Sequence, residues 1–532
     1  MADLTQLVPP KDLSDADKQN VFNHLFCRLA AFRNTAGLYS SLEHDLSSSR
    51  PLAKTARKQS FDREIQTWAQ KLLEQVWLVC GEPGGGGKCP VLEPYADTST
   101  GHLPPLPPPE VLSRILNTVL FLHIATSKEY SARTRTFLTT FAGSLDEQLI
   151  VSALRNPEKA IEETQKQTQA AKESHAQRGK TLRMLGVGLG AVAGGVLVGI
   201  TGGLAAPLVG AAASTVLGIL GVGGTAVGLL ATGLASMPVI VQVLFVARFF
   251  GVYGARTTSN MVQRHTREIR DLAIVPVHKL RKDQETLAVR LCVSGWLTSW
   301  DDVVAPWTVF GGDDTFALQW EVELLKSLST ALTALIIDND WMNSKALAVK
   351  AGAVLGDLLA NRVFGNRPVT LTGYSLGGLV IFEALKYLST LPPSKTAHLV
   401  EDVFLFGTPV PTDPAAWASI RRLASGRVVN GYSQDDYVLA VLSRLSNISW
   451  GVAGLQPVDA TGVENVFCKD VDGHTKWRGM IGRSLQQCGA PGIIDERVDE
   501  QVEDAAKRVE TEIELQGELK LTQEEVDEIV KH

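Results

Sequence analysis

A chain of 532 residues is too long for one compact core, so roughly two to four structural units are expected. Its 51 basic and 57 acidic residues leave a net charge of -6, which excludes the broad basic face of a nucleic-acid binder. Six scattered cysteines, Cys27, Cys80, Cys89, Cys292, Cys468 and Cys488, have neither metal-ligand nor disulfide-framework spacing, so no metal or cofactor is expected.

Met1 to Pro10 lacks the basic start and apolar run of a signal peptide, which makes a reduced, cytosol-facing location the expectation. The first 180 residues read as an all-helical region. Val21, Leu25 and Leu29 recur at helical spacing, as do Trp68, Leu72, Leu73 and Val76. A Gly/Pro-rich stretch between Gly81 and Pro109 cannot hold a helix and reads as a surface loop. Helices resume near Pro109, and a charged, Gln-rich helix is predicted from Pro157 to about Gly179. No chemistry is visible in this region, which reads as a helical support layer or cap.

From Met184 to Ala247 there is no charged residue. At about 20 residues per span, the run is long enough for two membrane crossings and nearly enough for three. Gly186, Gly190 and Gly194 are spaced by four, as are Gly195, Gly199 and Gly203, and such ridges let helix backbones approach closely in lipid. Pro207 and Pro238 are natural breaks. Arg178, Lys180 and Arg183 precede the run, and Arg248, Arg256, Arg264, Arg267 and Arg270 follow it. Positive charge stays on the cytosolic side, so both ends are placed there and the crossings are even in number. The expectation is an integral, multi-pass protein with a glycine-rich hairpin over 184–254 and both termini cytosolic. Met237 to Val246 is a further apolar piece that fits the interface or a re-entrant turn. A buried hairpin in a soluble protein is the alternative.

Between residues 268 and 490 short apolar runs alternate with helical stretches. Strands are predicted at Leu272–Val277, Ala288–Gly295, Phe316–Trp320, Val369–Thr372, Val403–Phe406, Val428–Gly431 and Val463–Phe467. Val322–Ile337, Ser344–Asn361 and Gly377–Leu391 have helical periodicity. The alternation implies an α/β class with a mainly parallel sheet. The acidic tail from Asp495 carries Val498, Val502, Val509 and Ile513 at coiled-coil-like spacing, a helix suited to packing on the body or docking a protein partner. Asn447-Ile448-Ser449 is a sequon, but nothing sends it to an oxidising lumen.

The chemistry gathers at Gly373-Tyr374-Ser375-Leu376-Gly377, entered by a β-branched run and left by an apolar helix. A nucleophilic serine needs a strained strand-to-helix turn to expose its hydroxyl, and glycines two residues either side keep backbone clear of it. The order expected is serine, acid, histidine. Of the histidines after Ser375, His532 is terminal and His398 precedes the next strand, which leaves His474 as the base. The acid belongs after the strand at Val428–Gly431, where Asp435 and Asp436 both fit. Backbone N–H groups must receive the oxyanion. Leu376 supplies one, and Trp296 or Leu297, after Val293-Ser294-Gly295, supplies the other.

At these residues the chain resembles eukaryotic transmembrane and coiled-coil domain-containing proteins, a domain-of-unknown-function family with an α/β-hydrolase fold. The resemblance covers about Leu185 to Cys488. It rests on the glycine-rich hairpin, Val293-Ser294-Gly295-Trp296-Leu297, Gln319-Trp320-Glu321, Gly373-Tyr374-Ser375-Leu376-Gly377, Phe406-Gly407-Thr408-Pro409, Asn430-Gly431-Tyr432-Ser433 and Asp472-Gly473-His474. In similar proteins the acid precedes an aromatic residue, which selects Asp436 before Tyr437, with tyrosine where tryptophan is common. The resemblance implies a membrane-associated, lipase-like protein.

The reading that follows is a serine hydrolase of membrane lipid or another apolar acyl ester, acting through Ser375, Asp436 and His474. The alternative is a catalytically silent membrane-anchored scaffold or trafficking adaptor on the same fold.

Overall fold

The computed structural model describes residues 13–84, 87–93, 97–142, 145–155, 271–278, 286–333, 338–445 and 451–515. The expected membrane hairpin at 184–254, the helix from Pro157 and the sequon at Asn447 lie outside the described residues. Among the described residues no helix is long and apolar enough to cross a membrane. The chain divides into two compact units, and their limits do not follow chain order.

The first unit takes Met1–Thr35, Ile65–Tyr130 and Thr134–Gly251. Its described part is mainly helical: the start of α1 (Asp15–Leu46), the end of α2 (Pro51–Val79), α3 (Pro109–Ser127), α4 (Ala132–Ala142) from Thr134 onward and α5 (Glu147–Arg155). Val21, Leu25, Leu29, Leu72, Leu73 and Val76 are fully buried, as their spacing requires of one helix face. The Gly/Pro-rich stretch is held down by side chains of α1. Asn20 donates to the Pro105 carbonyl at 2.8 Å, and Arg33 donates to those of Leu92 and Glu93 at 2.9 and 2.8 Å. Pro109 opens α3 at a position where a missing N–H costs nothing.

The second unit takes Ala36–Glu64, Ser131–Arg133 and Val252–His532. It is built on a seven-stranded sheet of order β1-β3-β2-β4-β5-β6-β7. The strands are β1 (Leu272–Pro276), β2 (Val289–Val293), β3 (Asp314–Trp320), β4 (Val369–Tyr374), β5 (Val400–Phe406), β6 (Val428–Tyr432) and β7 (Val463–Phe467). β1 runs antiparallel to β3, and every other pairing is parallel. The inner strands β2, β4 and β5 are buried at every residue, the signature of a sheet covered on both faces. The edge strand β7 exposes Glu464, Asn465 and Phe467, and β1 ends at Pro276, where an edge tolerates a missing N–H.

Helices α6 (Val322–Thr333), α7 (Asp338–Ala360), α8 (Leu376–Thr390), α9 (Pro414–Leu423), α10 (Tyr437–Leu445), α11 (Trp477–Gln487) and α12 (Asp495–Leu515) connect and cover the strands. Helices α7 and α8 meet through Gly352 and Gly356, where an added Cβ would lie 2.7 Å from the Val380 carbonyl and the Tyr387 ring respectively. The tail helix α12 packs on α11 through Val498, which is fully buried, and through Ala505 against Gly479. Segment 36–64 brings Glu43 to an ion pair with Arg422, and Phe61 lies 5.2 Å from the guanidinium carbons of both Arg133 and Arg422. Buried guanidinium groups need such partners because the desolvation of an isolated charge is prohibitive.

The strand order reverses between β2 and β4. From β2 the chain steps outward to β3, then crosses back to β4 on the other side of β2. Loops leaving the carboxyl ends of two such strands diverge and open a crevice between them, the usual place for a site in an open α/β sheet. Gly295 follows β2, and Ser375 follows β4.

Candidate active site

Ser375 sits between β4 and α8 with φ 54 and ψ -133, a left-handed backbone conformation that a side chain rarely adopts. The turn is clamped from several sides. The Ser375 N–H donates to the Phe406 carbonyl at 2.9 Å. A Cβ at Gly373 would meet the backbone of Gly377 and Gly378 at 3.0 Å, and one at Gly377 would overlap the Val293 carbonyl. Gly295 lies against the amide nitrogens of Leu376 and Gly377, with no room for a side chain. The glycines thus let three backbone segments converge behind one serine.

Ser375 Oγ lies 2.6 Å from His474 Nε2. His474 Nδ1 lies 2.8 Å from Asp436 Oδ2. Residues from three separate loops, after β4, β6 and β7, thereby form one continuous hydrogen-bonded line. All three side chains are enclosed: Ser375 and Asp436 are 0% exposed and His474 1%. Asp436 also caps α10, its Oδ1 accepting from the Leu439 N–H at 3.0 Å. Asp435 is exposed, and its N–H donates to Ser433 Oγ at 3.2 Å, whereas the carboxylate paired with His474 is that of Asp436. Chemically, a hydroxyl facing an imidazole nitrogen, with a carboxylate on the other nitrogen, can pass a proton from oxygen to ring.

Leu376 follows Ser375 at the start of α8, and Trp296 and Leu297 lie in the segment that follows β2. Among the described residues, none of their N–H groups donates to another backbone carbonyl outside the regular elements. Leu376 opens α8, whose first N–H groups have no partner within the helix. The positive end of that helix faces the turn.

Three further residues bear on the site and were not legible from spacing. Trp477 donates its indole N–H to Asp436 Oδ2 at 2.9 Å, so that oxygen serves two donors. Its ring packs against Gly407, whose φ of 52 and lack of Cβ leave space for the indole. Asp302 is fully buried and accepts from the Thr298 N–H at 2.8 Å, the Ser299 N–H at 2.9 Å and Arg478 Nη1 at 2.9 Å. That ion pair fastens the loop after Leu297 to the helix that follows His474. Burial pushes the Asp302 carboxyl upward, but Arg478 and the hydrogen bonds of Thr298 and Ser299 outweigh it and hold it below its ordinary value. The Ser-x-x-Asp capping box at Ser299 and Asp302 is a readable local signal; the pairing with Arg478 is not.

Tyr374 fixes the other wall. Its hydroxyl donates to the Trp296 carbonyl at 3.0 Å, and burial raises its pKa well above the ordinary phenol range, so it stays a neutral donor. The cysteines lie apart from this chemistry. Burial raises the thiols of Cys80 and Cys488 to about 12 and that of Cys468 to about 11, which disfavours the reactive thiolate.

A family model described as "Protein of unknown function (DUF726)" matches residues 179–336 and 331–490. The chain is 32% identical over 409 residues to Transmembrane and coiled-coil domain-containing protein STS1 of Oryza sativa subsp. japonica, a match covering 68% of this chain and 61% of the rice protein. It is 30% identical over 366 residues to an uncharacterized membrane protein of Schizosaccharomyces pombe, covering 60% of this chain and 61% of that one. A Saccharomyces cerevisiae protein named Probable lipase MIL1 is 30% identical over 323 residues, 52% of this chain and 29% of the yeast protein. The matches thus span about three-fifths of the rice and fission-yeast relatives. No solved structure matches the chain. With matched stretches running from residue 179 to 490, more than half its length, the chain belongs to the DUF726 family.

Proposed function

We propose that this protein is a membrane-associated serine ester hydrolase of the α/β-hydrolase fold, cleaving lipid or another apolar acyl ester through Ser375, His474 and Asp436. The observation that carries the reading is the line of 2.6 and 2.8 Å contacts that begins at a serine of positive φ on a strand-to-helix turn. The reversal of strand order beside that turn and the antiparallel edge strand support the fold. The relative named as a lipase supports the substrate class.

In this reading Ser375 Oγ attacks the ester carbonyl carbon while its proton passes to His474 Nε2. The Asp436 carboxylate keeps the imidazole in the tautomer that can accept it and stabilises the resulting cation. The N–H of Leu376 and that of Trp296 or Leu297 receive the oxyanion. Nε2 returns the proton to the leaving alcohol, and water then releases the acyl group by the same path in reverse. The uncharged run from Met184 to Ala247 holds the protein to the bilayer, so substrate arrives from lipid. The acidic tail helix offers a docking surface to a protein partner.

A second reading is a silent scaffold on the same fold, and the closure of the site favours it: neither Ser375 nor His474 is open to solvent. Release of fatty acid from phospholipid or neutral-lipid vesicles by the full chain separates the two. The hydrolase reading expects release by the native protein and none from Ser375→Ala. Equal release from both proteins, or none from either, favours the scaffold.

A further inference from the structure

We infer that the indole N–H of Trp296 is a hydrogen-bond donor to the carbonyl oxygen of the bound ester as that oxygen becomes the oxyanion. The inference rests on the serine-hydrolase reading and adds a side-chain donor to the backbone donors at the site.

Trp296 is 1% exposed, and its Nε1 has no hydrogen-bond partner. Four other buried indoles each have one. Trp307 donates to Ser294 Oγ and Trp320 to the Ser294 carbonyl, each at 3.0 Å. Trp417 donates to the Pro411 carbonyl at 3.0 Å, and Trp477 to Asp436 at 2.9 Å. A buried donor left unpaired forfeits its hydrogen bond to water and gains nothing, so such groups are rare in folded proteins and call for a reason.

The position supplies that reason. The Trp296 ring meets the His474 ring edge to face, with centroids 5.3 Å apart and planes at 86°. That places it beside the imidazole that faces Ser375 Oγ. The residue is also immobilised. Tyr374 holds its carbonyl, and Gly295 before it is wedged against the amides of Leu376 and Gly377. The backbone N–H of Trp296 is itself a candidate oxyanion donor, so the residue already belongs to the segment that would receive that oxygen. A neutral N–H donates only to an acceptor, which selects for a carbonyl or phosphoryl oxygen at that point. Fixed donors aimed at developing charge act with little reorganisation, because they are already desolvated before the reaction.

The test is the second-order rate at which a fluorophosphonate labels Ser375 in the full chain, with the melting temperature measured alongside. Trp296→Phe keeps a ring beside His474 and removes the N–H. It is expected to slow labelling about 100- to 1,000-fold, in line with the loss of one oxyanion donor, with any fall in melting temperature confined to this smaller ring. Replacing the indole of Trp296 by benzothiophene keeps the full ring size and is expected to give the same loss. Labelling within about threefold of the native rate in both variants overturns the inference and leaves the hydrolase reading standing. A slow, less stable Trp296→Phe beside a benzothiophene variant of native rate also overturns it, because packing alone then accounts for the loss. A native protein that is folded yet unlabelled overturns both readings together.

Discussion

Trp477 and His474 share one oxygen: the indole N–H and the imidazole Nδ1 both meet Asp436 Oδ2, at 2.9 and 2.8 Å. The indole partly balances the carboxylate and stops it rotating away from the ring. Removing one donor from a buried, charged acceptor costs about 1.5–3 kcal/mol. Trp477→Phe is therefore expected to lower the melting temperature and to reduce ester turnover about tenfold, with little change in KM. Unchanged turnover would mean that His474 and the Leu439 N–H hold the carboxylate in place without the indole.

Asp436→Asn replaces the acceptor facing Nδ1 with a group that can present an N–H, which disfavours the tautomer able to take the Ser375 proton. Turnover is expected to fall by roughly 10³- to 10⁴-fold, as in serine hydrolases whose acid is amidated. Asp435, exposed and not the carboxylate paired with His474, is expected to tolerate the same change within about twofold. Steady-state kinetics on the two variants gives the ranking, and the reverse order would move the acid to Asp435.

Gly295→Ala tests the convergence of backbone behind the serine. Its Cβ would overlap the amide nitrogens of Leu376 and Gly377, which are backbone and cannot swing aside. Overpacking costs about 1–3 kcal/mol when side chains can adjust, and more is expected here. The variant is expected to lose labelling at Ser375 even in the fraction that remains folded by circular dichroism. A folded variant labelled at the native rate would show that the turn has slack.

Arg478→Ala isolates the pair that joins the loop after Leu297 to the helix after His474. Leaving Asp302 buried without its cation is expected to cost roughly 3 kcal/mol or more in chemical denaturation at pH 7. Asp302 is held below its ordinary value, so its contribution is complete above the ordinary carboxyl value of about 4 and disappears as pH falls toward the depressed one. The gap between native and Arg478→Ala stability is therefore expected to narrow on acidification below pH about 4. A gap that stays constant down to pH about 2 would place the effect in packing of the arginine stem.

Much of the sheet was legible because buried parallel strands are continuous apolar runs. Val403-Phe404-Leu405-Phe406 announces itself in that way, while Val289 to Val293 and Val369 to Thr372 were readable by their β-branched and apolar bias despite Arg290, Thr370 and Thr372. Boundaries were less so. β5 begins at Val400, three residues before the predicted Val403, because Glu401 and Asp402 break the apolar run that marks it, and α7 begins at Asp338, ahead of its clear periodicity at Ser344. The antiparallel direction of β1 cannot be read from a five-residue strand. Ser375 and His474 were reachable through a local motif and chain order, but spacing left Asp435 and Asp436 equal. Resemblance pointed to Asp436, and Asp436 is the carboxylate beside His474. Trp477, Asp302 and Arg478 stayed hidden because their roles lie in contacts 41 and 176 residues apart along the chain.

The most direct measurement is the mass of the Ser375 peptide after treating the full chain, in membranes, with a fluorophosphonate. One adduct is expected, on Ser375, absent from Ser375→Ala and strongly reduced in His474→Ala while both variants remain folded by circular dichroism. A native protein that is folded and membrane-bound, yet carries no adduct at saturating probe, would contradict it.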